Sequence, residues 1–306
     1  MKFQITILGS SAAYPANGLL TTSQVLNINE KYYLIDCGEG TQAQLRKYRV
    51  KASKINHIFI SHIHGDHILG LPGLIGSFGL LGRVAPLHIH CPEGVKEFVE
   101  AFLKYTKVRK LIYPLHFHVH QSTEPTLLLD NEDLTVTTIP MKHDAPTTGF
   151  LFQEKERPRN MRKEAIEKYD IPYQQMTAIK NGADFRTATG KVIPNKELTK
   201  AGKPSRSFAF CSDTAYTETI LPQIKNVDLL YHEATFGDEK LKDLQERNIH
   251  STARQAGQIA CQANAKRLII GHFSPRYKDL EVLLTQAREA FENTDLAIDG
   301  RVFNVK

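Results

Sequence analysis

The chain of 306 residues has only four cysteines, and no two of them form a CxxC pair. Cys37, Cys91, Cys211 and Cys261 are spread along the sequence instead. This spacing argues against a disulfide framework and against a zinc site built from cysteine. It favours a protein of the reducing cytoplasm.

Long apolar runs are also missing. No run is long enough to span a bilayer, so a membrane helix is not expected. The N-terminal stretch MKFQITILGSS lacks the long apolar region and cleavage site of a signal peptide, and it is better interpreted as a first strand. Internal repeats and low-complexity tracts are absent as well. What remains is an ordinary globular composition, 41% hydrophobic and 24% charged, with room for one large domain or two small ones.

Net positive charge is concentrated in one segment of the chain. Residues 154–206 hold 13 Lys or Arg and 7 Asp or Glu, and the resulting +6 equals the formal net charge of the whole protein. The remaining residues are therefore neutral in sum. A solvated insertion is one interpretation of this segment. A basic arm that contacts a polyanion is the other.

Several short apolar runs end at metal-capable side chains. Each run is four to six residues long and rich in β-branched or aromatic residues, which is typical of a buried strand. Loops at strand ends carry function on a rigid scaffold, so we expect these ends to converge. The side chains at the run ends are His62; His143 and Asp144; Asp213; His232 and Glu233; and His272.

The densest of these ends is the segment SHIHGDH. His62 and His64 lie two positions apart at a strand end, a glycine permits a sharp turn, and Asp66 and His67 follow. Imidazole and carboxylate are the usual ligands of catalytic divalent metals such as zinc. The segment can therefore supply two ligands to each of two neighbouring metals. Asp213 is the natural shared ligand, since a carboxylate can bridge two cations. Candidates for the remaining positions are His143 and His272.

Six other histidines are expected to lie outside such a site. LHIHC and LHFHVH carry five of them at alternating positions, which places each row on one face of a strand. We interpret both rows as surface or edge positions and the sixth histidine as structural. The six are His88 and His90; His116, His118 and His120; and His57.

Helical spacing of apolar residues is found at 93–105, 252–264 and 278–292. Ser251 or Thr252 is a suitable cap for the second of these helices. Strands and helices thus mix along the whole chain without a clear boundary.

HxHxDH followed by distal His, Asp and His resembles the metallo-β-lactamase superfamily. Within it, the chain is similar to the ribonuclease Z family of endonucleases, which trim 3′ trailers from tRNA precursors. The match extends over nearly the whole chain in the family's order. The segments that carry it are LGSSAAYP (8–15), DCGEGTQ (36–42), HEAT (232–235), HST (250–252) and GHFSPRY (271–277).

This resemblance implies an α/β fold, a four-layer αββα sandwich of two facing mixed sheets with helices outside and metals at one edge. It implies a single domain over residues 1–306 with 154–206 as an inserted basic arm, or exosite. It also implies two Zn²⁺ per subunit and a homodimer. By the same resemblance, one zinc would be held by His62, His64 and His143, and the other by Asp66, His67 and His272, with Asp213 as the bridge.

Two features depart from the family pattern. The usual Gly-Pro stretch of the arm is replaced by IPYQQMTAIKNG (171–182), and the glycine that usually precedes the bridging aspartate is serine in CSDT. RPRNMRKEAIEKY (157–169) nevertheless has the spacing of an amphipathic helix. Its apolar side would consist of Met161, Ala165, Ile166 and Tyr169.

The mechanism implied is a two-metal hydrolysis of an RNA phosphodiester with water as nucleophile. Asp66 could accept the proton of that water, and His250 is the best candidate to protonate the leaving 3′-oxygen. Glu233 would orient His250 and raise its pKa. A buried hydrogen-bonded pair without a chemical role is the alternative for these two residues. Asp36 is expected to brace the metal ligands.

Substrate contacts are expected in three places. Thr41 would lie near a helix N-terminus in DCGEGTQ, where an ordinary tight turn is the alternative. Ser274 and Arg276 would touch the RNA backbone, with a packed surface loop as the alternative. In the basic arm the candidates are Arg157, Arg159, Arg162 and Lys163.

Two other functions compete with the tRNA endonuclease. A small-molecule phosphodiesterase or arylsulfatase of the same fold would need no concentrated basic segment. A zinc-bound RNA-binding or structural protein would have a closed four-ligand site and would need no acid such as His250.

Overall fold

The computed structural model describes residues 2–106, 111–121, 123–247 and 249–306. Its strands are β1 Phe3–Gly9, β2 Ser23–Ile28, β3 Lys31–Ile35, β4 Ile55–Phe59, β5 Leu87–Cys91, β6 Leu115–Val119, β7 Leu127–Asp130, β8 Leu134–Pro140, β9 Thr148–Glu154, β10 Asn160–Met161, β11 Phe185–Arg186, β12 Val192–Ile193, β13 Thr199–Lys200, β14 Ser207–Cys211, β15 Leu229–Glu233, β16 Leu268–Gly271, β17 Thr294–Leu296 and β18 Val302–Asn304.

Two 3₁₀ turns, Ala52–Lys54 and Asp238–Lys240, accompany the α-helices. The helices are α1 Thr41–Lys47, α2 Gly65–Ile68, α3 Leu71–Leu80, α4 Val95–Tyr105, α5 Lys163–Tyr169, α6 Tyr173–Lys180, α7 Asn195–Leu198, α8 Leu221–Ile224, α9 Leu241–Arg247, α10 Ala253–Gln262 and α11 Glu281–Ala290.

The strands form two seven-stranded mixed sheets. In the first, the order is β18-β1-β2-β3-β4-β5-β6, antiparallel from β18 to β3 and parallel from β3 to β6. The second has the order β17-β16-β15-β14-β9-β8-β7, with β14 to β17 parallel. The carboxyl ends of parallel strands lie at one edge of a sheet, so the loops after β14, β15 and β16 emerge together.

Helices cover the outer face of each sheet. Leu74 of α3 and Val99 of α4 pack with Ile89 of β5, and a separate core joins α10 and α11 to β15 and β16. Between the sheets, Phe59 of β4 meets Phe150 of β9 with ring centroids 5.5 Å apart. This is the four-layer αββα sandwich that the sequence predicted.

The strand and helix predictions from the sequence are confirmed for this sandwich. The N-terminal stretch forms β1, and the five runs that end at metal-capable residues form β4, β8, β14, β15 and β16. The three predicted helices are α4, α10 and α11. Thr252, rather than Ser251, caps α10 in a capping box with Gln255. None of the described helices is long and apolar enough to cross a membrane.

The chain divides into two compact units. The first comprises Met1–Asn131, Thr135–Phe152 and Ser207–Lys306, and the second comprises Glu132–Leu134 and Gln153–Arg206. The second unit has a small core of its own, built from Ala165, Ile171, Ile179, Phe185, Ile193 and Leu198.

A buried carboxylate links the start and the end of the segment Gln153–Arg206 of the second unit. Glu154 accepts hydrogen bonds from the guanidinium groups of Arg157 and Arg206, both at 2.7 Å. Burial acts to raise the pKa of Glu154, but the bonds and charge of Arg206 outweigh it and the pKa is lowered. The carboxylate therefore stays ionised beside its two cations.

The amphipathic helix predicted for 157–169 is shorter in the structure. Only Lys163–Tyr169 is helical, while Asn160–Met161 is extended and pairs with Thr199–Lys200. Pro158 lies in the missing part, where its ring disfavours a helix interior. Ala165 is buried, and Met161 and Tyr169 pack against the small core as the spacing indicated.

Four histidines of the two alternating rows form one stack with His57 on the inner face of the first sheet. Neighbouring rings of His57, His88, His90, His116 and His118 lie 4.7–5.5 Å apart, with planes within 16–23°. The stack has two N···N hydrogen bonds, of 3.2 Å between His57 and His90 and 2.9 Å between His88 and His118.

The interpretation of these rows as surface or edge positions is wrong for two residues. His90 is 2% exposed and His120 is 7% exposed, whereas His116 and His118 are exposed as expected. The reason is the second sheet. Phe59, which stacks on His90, packs against β9, and Phe150 of β9 lies edge-on to His120.

Acid should destabilise this stack. Burial and the neighbouring imidazoles lower the pKa of His57 to about 4 and of His90 to about 3, below the ordinary 6.5 that applies in the unfolded chain. The unfolded state therefore binds more protons, and the free energy of unfolding falls as pH drops from about 6.5 towards 4. The substitution His90→Phe should remove up to roughly 2 kcal/mol of the difference in the free energy of unfolding between pH 7 and pH 5.

Urea unfolding with a metal chelator present, at both pH values, measures this effect. His116→Phe is the matched control, because it changes an exposed ring of the same stack. If the free energy of unfolding depends on pH equally in the wild type and in His90→Phe, the lowered pKa assigned to His90 is contradicted.

Candidate metal centre

Four strand ends bring their polar side chains to one place. His62 and His64 follow β4, and the short helix α2 carries Asp66 and His67 in its first turns. From the second sheet, the loops after β8, β14 and β16 contribute three more, namely His143, Asp213 and His272.

Four of these side chains form a first group. The Nδ1 atom of His64 lies 3.1 Å from Nε2 of His62 and 3.3 Å from Nε2 of His143. Asp213 Oδ2 lies 3.7 Å from Nε2 of His62 and 3.9 Å from Nε2 of His143. One ligand atom from each residue lies within 4.8 Å of every other.

Asp66, His67 and His272 form a second group that meets the same criterion. His272 Nε2 lies 3.4 Å from His67 Nε2 and 3.2 Å from Asp66 Oδ2. Asp213 reaches this group as well, with Oδ1 at 3.5 Å from His67 and Oδ2 at 3.3 Å from His272. Its carboxylate is thus shared between the two groups.

The side chains present fit a divalent cation. Asp213 is 2% exposed, and its Oδ1 has no hydrogen-bond partner among the described residues. Rings of the first group are turned 74–79° from one another, so their nitrogens converge, whereas the rings of the histidine stack are nearly parallel. Nitrogen and carboxylate oxygen are the donors that zinc prefers at open catalytic sites.

Electrostatics keep two of the ligands, His62 and Asp213, in the forms that bind metal. For His67, burial acts to lower the pKa, but the carboxylates of Asp213, Asp66 and Asp36 outweigh it and raise that pKa, so a metal would displace its proton. Burial and the neighbouring His67 hold the pKa of His62 well below its usual value, so its imidazole is neutral. Burial acts to raise the pKa of Asp213, but His272 and His67 outweigh it and the pKa is well below its usual value. Neutral imidazole and ionised carboxylate are the metal-binding forms.

A second set of contacts orients the rings of two of these histidines. Ring Nδ1 of His143 lies 2.7 Å from the Ile249 carbonyl, and Nδ1 of His272 lies 2.8 Å from Thr235 Oγ1. These contacts leave Nε2 facing the other ligands, which is the usual arrangement around a metal-binding histidine.

Asp36 braces His67 in the way the sequence suggested. Its Oδ2 lies 2.8 Å from His67 Nδ1 and 2.9 Å from Ser61 Oγ, and its Oδ1 accepts the Ser61 backbone N–H at 2.7 Å. Asp36 has a φ of 53°, in the left-handed region. The turn after β3 thereby sends the carboxylate beneath the ligands.

His250 and Glu233 stand beside the two groups. His250 Nδ1 lies 2.8 Å from Glu233 Oε1, and the ring centroid of His250 lies 5.1 Å from that of His143. Burial acts to lower the pKa of His250, but the charge and hydrogen bond of Glu233 outweigh it and raise that pKa to about 9. His250 is therefore a protonated group at the edge of the cluster. His232 is buried and lies outside these groups.

The predicted substrate contacts lie in different settings. Thr41 is buried, and its hydroxyl donates to the Gly38 carbonyl at 2.8 Å inside a tight turn. Arg276 donates to Ser274 Oγ at 3.1 Å and lies over the Phe236 ring, which is next to His250. All three remain predictions as substrate contacts.

The four arm residues lie in the second unit and also remain predictions. Arg157 bonds to Glu154, while Arg159 and Arg162 donate to Oγ1 and the carbonyl oxygen of Thr199 at 2.6 and 3.0 Å. Lys163 is exposed at the start of α5.

Sequence reasoning missed one neighbour of the ligands and gave no role to another, Asp144, which it placed at a run end. The backbone N–H of Ala13 donates to Asp66 Oδ2 at 2.7 Å, and Asp144 Oδ1 lies 3.0 Å from His143 Nε2. The sequence signal for the contact from Ala13 was the LGSSAAYP segment. The contact itself could not be predicted, because only the fold brings this segment to Asp66.

Comparisons with known proteins give a consistent result. The family model described as Anti-Pycsar protein Apyc1 matches residues 3–156, and the model described as Beta-lactamase superfamily domain matches residues 196–273. A Ribonuclease Z of Bacteroides thetaiotaomicron is 50% identical over 304 residues, 99% of this chain and 96% of that protein. A Ribonuclease Z of Porphyromonas gingivalis is 44% identical and covers 95% of both chains.

Solved structures are similar as well. Human tRNase Z, short form, has a TM-score of 0.70 and 26% identity, and the match covers 99% of both chains. Yeast PDE1 has a TM-score of 0.56 and 14% identity over 100% of this chain and 99% of that one, a likeness of fold alone.

Asp36→Asn should weaken metal binding. An amide accepts less strongly than a carboxylate from the ring N–H of His67, so the ligand is less basic and less well oriented. We expect the affinity for Zn²⁺ to fall about 10- to 100-fold, measured by competition with a chromogenic chelator. Asp243→Asn, an exposed site on α9, is the control and should keep the wild-type affinity. Equal affinity in both variants would contradict the bracing role of Asp36.

Proposed function

Because this chain belongs to the ribonuclease Z family and has the metallo-β-lactamase fold, we infer that it is an endoribonuclease that processes the 3′ ends of tRNA precursors. The observation that carries this inference is its 50% identity to a Ribonuclease Z over 99% of the chain. The cluster of histidines and aspartates at the sheet edges supports it, since hydrolases of this fold bind divalent metal there.

We further propose that the cluster binds two zinc ions, or other divalent cations, per subunit. His62, His64 and His143 would hold one, Asp66, His67 and His272 the other, and Asp213 would contact both. Bound there, the two cations would activate a water molecule and neutralise charge on the scissile phosphate.

The protein's own side chains would move the protons. Burial acts to raise the pKa of Asp66, but His67 and His272 outweigh it and lower the pKa, so the carboxylate is ionised. Asp66 would accept the proton of the attacking water because of its place among the ligands, not because of this shift, which makes it a weaker base. His250 bonds to Glu233 through Nδ1, which leaves Nε2 to protonate the leaving 3′-oxygen. The tRNA then ends in a 3′-hydroxyl and the trailer begins with a 5′-phosphate.

The role of His250 has a direct test. His250→Ala should lower the turnover number about 10²- to 10⁴-fold while the zinc content stays unchanged. If the pair with Glu233 is only structural, the variant will lose thermal stability but keep its turnover.

Cleavage of a tRNA precursor with a 3′ trailer is the first experiment. We expect one cut near the discriminator base, in keeping with the family's removal of 3′ trailers. Mapping both new ends should show a 3′-hydroxyl upstream and a 5′-phosphate downstream. Hydrolysis of bis(p-nitrophenyl) phosphate without precursor cleavage would favour the alternative, a small-molecule phosphodiesterase or arylsulfatase of the same fold.

We propose that residues 154–206 are a basic arm that binds the folded body of the tRNA precursor. A concave surface with a volume of about 530 Å³ lies on this unit. Arg162, Lys168 and Lys196 line it together with Tyr169, and their three positive charges exceed the two negative charges of Glu164 and Glu197 in the same lining. A net positive surface with an aromatic ring is suited to phosphates and to a stacked or sugar contact. Arg157 contributes less charge, since it is paired with Glu154.

Neutralising this surface should weaken tRNA binding without affecting the chemistry. Arg162→Gln, Lys168→Gln and Lys196→Gln together should raise the KM for precursor and lower the slope of log K against log salt by about 2 to 3. Hydrolysis of bis(p-nitrophenyl) phosphate should stay at the wild-type rate.

The matched control removes the same charge from three exposed lysines of the first unit, Lys51, Lys96 and Lys225. An equal effect of both triple variants would show that net charge, rather than the arm, determines tRNA affinity.

We also propose a cytoplasmic homodimer, in keeping with the family. Leu80 and Leu81 at the end of α3 are 91% and 82% exposed, and adjacent apolar side chains of this kind are typical of a contact surface. Sedimentation velocity tests this proposal, because Leu80→Glu should shift a dimer to monomer.

A further inference from the structure

A cavity of about 260 Å³ in the first unit is lined in part by the loops after β4 and β8, which also carry metal ligands. It is small compared with pockets for drug-sized ligands. Its lining combines three apolar residues with four polar ones, which are Ile63, Pro92 and Pro146, and Glu93, His120, Gln121 and Thr123.

Two lining residues are close in sequence to the first group of metal ligands. Ile63 stands between His62 and His64 in the sequence, and Pro146 follows His143 by three positions. Ile63 is 40% exposed, so its side chain offers an accessible apolar wall. A Cβ at Gly94 would lie 2.7 Å from Cδ1 of Ile63, so the two residues are in close contact.

His120 gives the cavity an unsatisfied polar edge. It is 7% exposed, and neither ring nitrogen has a hydrogen bond of good geometry among the described residues. Burial lowers its pKa to about 4 against a weak opposing effect of the Gln121 backbone, so the ring is neutral at pH 7 and offers one donor and one acceptor. A buried polar group without a partner costs free energy, and a ligand that pairs with it recovers that cost.

We propose that this cavity binds one nucleobase of the RNA strand next to the cleaved phosphate, an inference that rests on the proposed function. A base has two apolar faces, which suit Ile63 and the prolines, and a polar edge, which suits His120 and Gln121. The described lining contains a carboxylate, Glu93, and no Lys or Arg, so it disfavours a phosphate group.

Glu93 predicts a preference among the bases. A carboxylate accepts from an exocyclic amino group, as Glu does from the N4 amine of cytosine. Uracil has no such amine, so we expect uracil to be the poorest occupant.

Abasic scanning of a tRNA precursor tests the cavity. One base at a time is removed at the three positions on each side of the cleaved bond, and kcat/KM is measured. In the wild type, we expect one position at which the loss of the base lowers kcat/KM about tenfold. In His120→Leu, removal of that same base should have little further effect, because the partner of its polar edge is gone.

Glu93→Gln provides a second variant on an exposed residue, so the test does not depend on a buried substitution. It should reduce the discrimination against uracil at the sensitive position. Glu97→Gln, an exposed carboxylate of α4 outside the cavity, should keep the wild-type pattern. Hydrolysis of bis(p-nitrophenyl) phosphate, which has no base, reports on the metal centre in each variant.

The outcomes separate the two proposals. If no position is sensitive in the wild type, or if the penalty is the same in the wild type and His120→Leu, the base-binding cavity is wrong and the endoribonuclease stands. If the wild type cuts no precursor while it hydrolyses the small phosphodiester, the proposed function fails, and the assignment of the cavity fails with it.

Discussion

The carboxylate of Asp213 is buried between five histidines, and the architecture of the site follows from what that burial costs. An ionised carboxylate in a protein interior needs compensating positive charge or several hydrogen bonds. Asp213 Oδ1 has no hydrogen-bond partner among the described residues and lies 3.5 Å from Nε2 of His67, while Oδ2 lies 3.3 Å from Nε2 of His272. In the proposed metal-loaded state, cations would supply the compensation, which gives metal binding a direct link to stability.

Such a carboxylate can be held in place only by rigid elements. Asp213 follows β14 at the centre of the second sheet, while His62 and His67 come from the first sheet and from α2. Ser212 Oγ donates to Ser61 Oγ at 2.9 Å, which joins the two strand ends directly. Asp36 extends the same network beneath His67, so the ligands are positioned by bonds that do not involve the metal.

Histidine serves two purposes in this protein, and ring orientation separates them. Rings that meet at 74–79° point their nitrogens at a common volume, as in the first ligand group. Rings within 16–23° of parallel have parallel lone pairs and stack instead, as on β4, β5 and β6. Residue type alone could not distinguish them. Alternation indicated which face of a strand the second set occupies, but not that β9 covers part of that face, and so His90 and His120 were misplaced.

The sequence by itself determined the elements, the residue types of the metal centre and the place of the basic segment, because each depends on neighbours close along the chain. HxHxDH fixes four candidate ligands within six positions, and apolar spacing fixes the strands that lead to the others. Only the tertiary structure decided which distant groups meet, such as His272 and Asp66, which are 206 positions apart and lie 3.2 Å apart in space. The tertiary structure also decided the cavity beside Ile63, the pairing of Arg157 with Glu154 and the late start of α5. Each depends on contacts between segments whose separation in sequence carries no information about their distance in the folded chain.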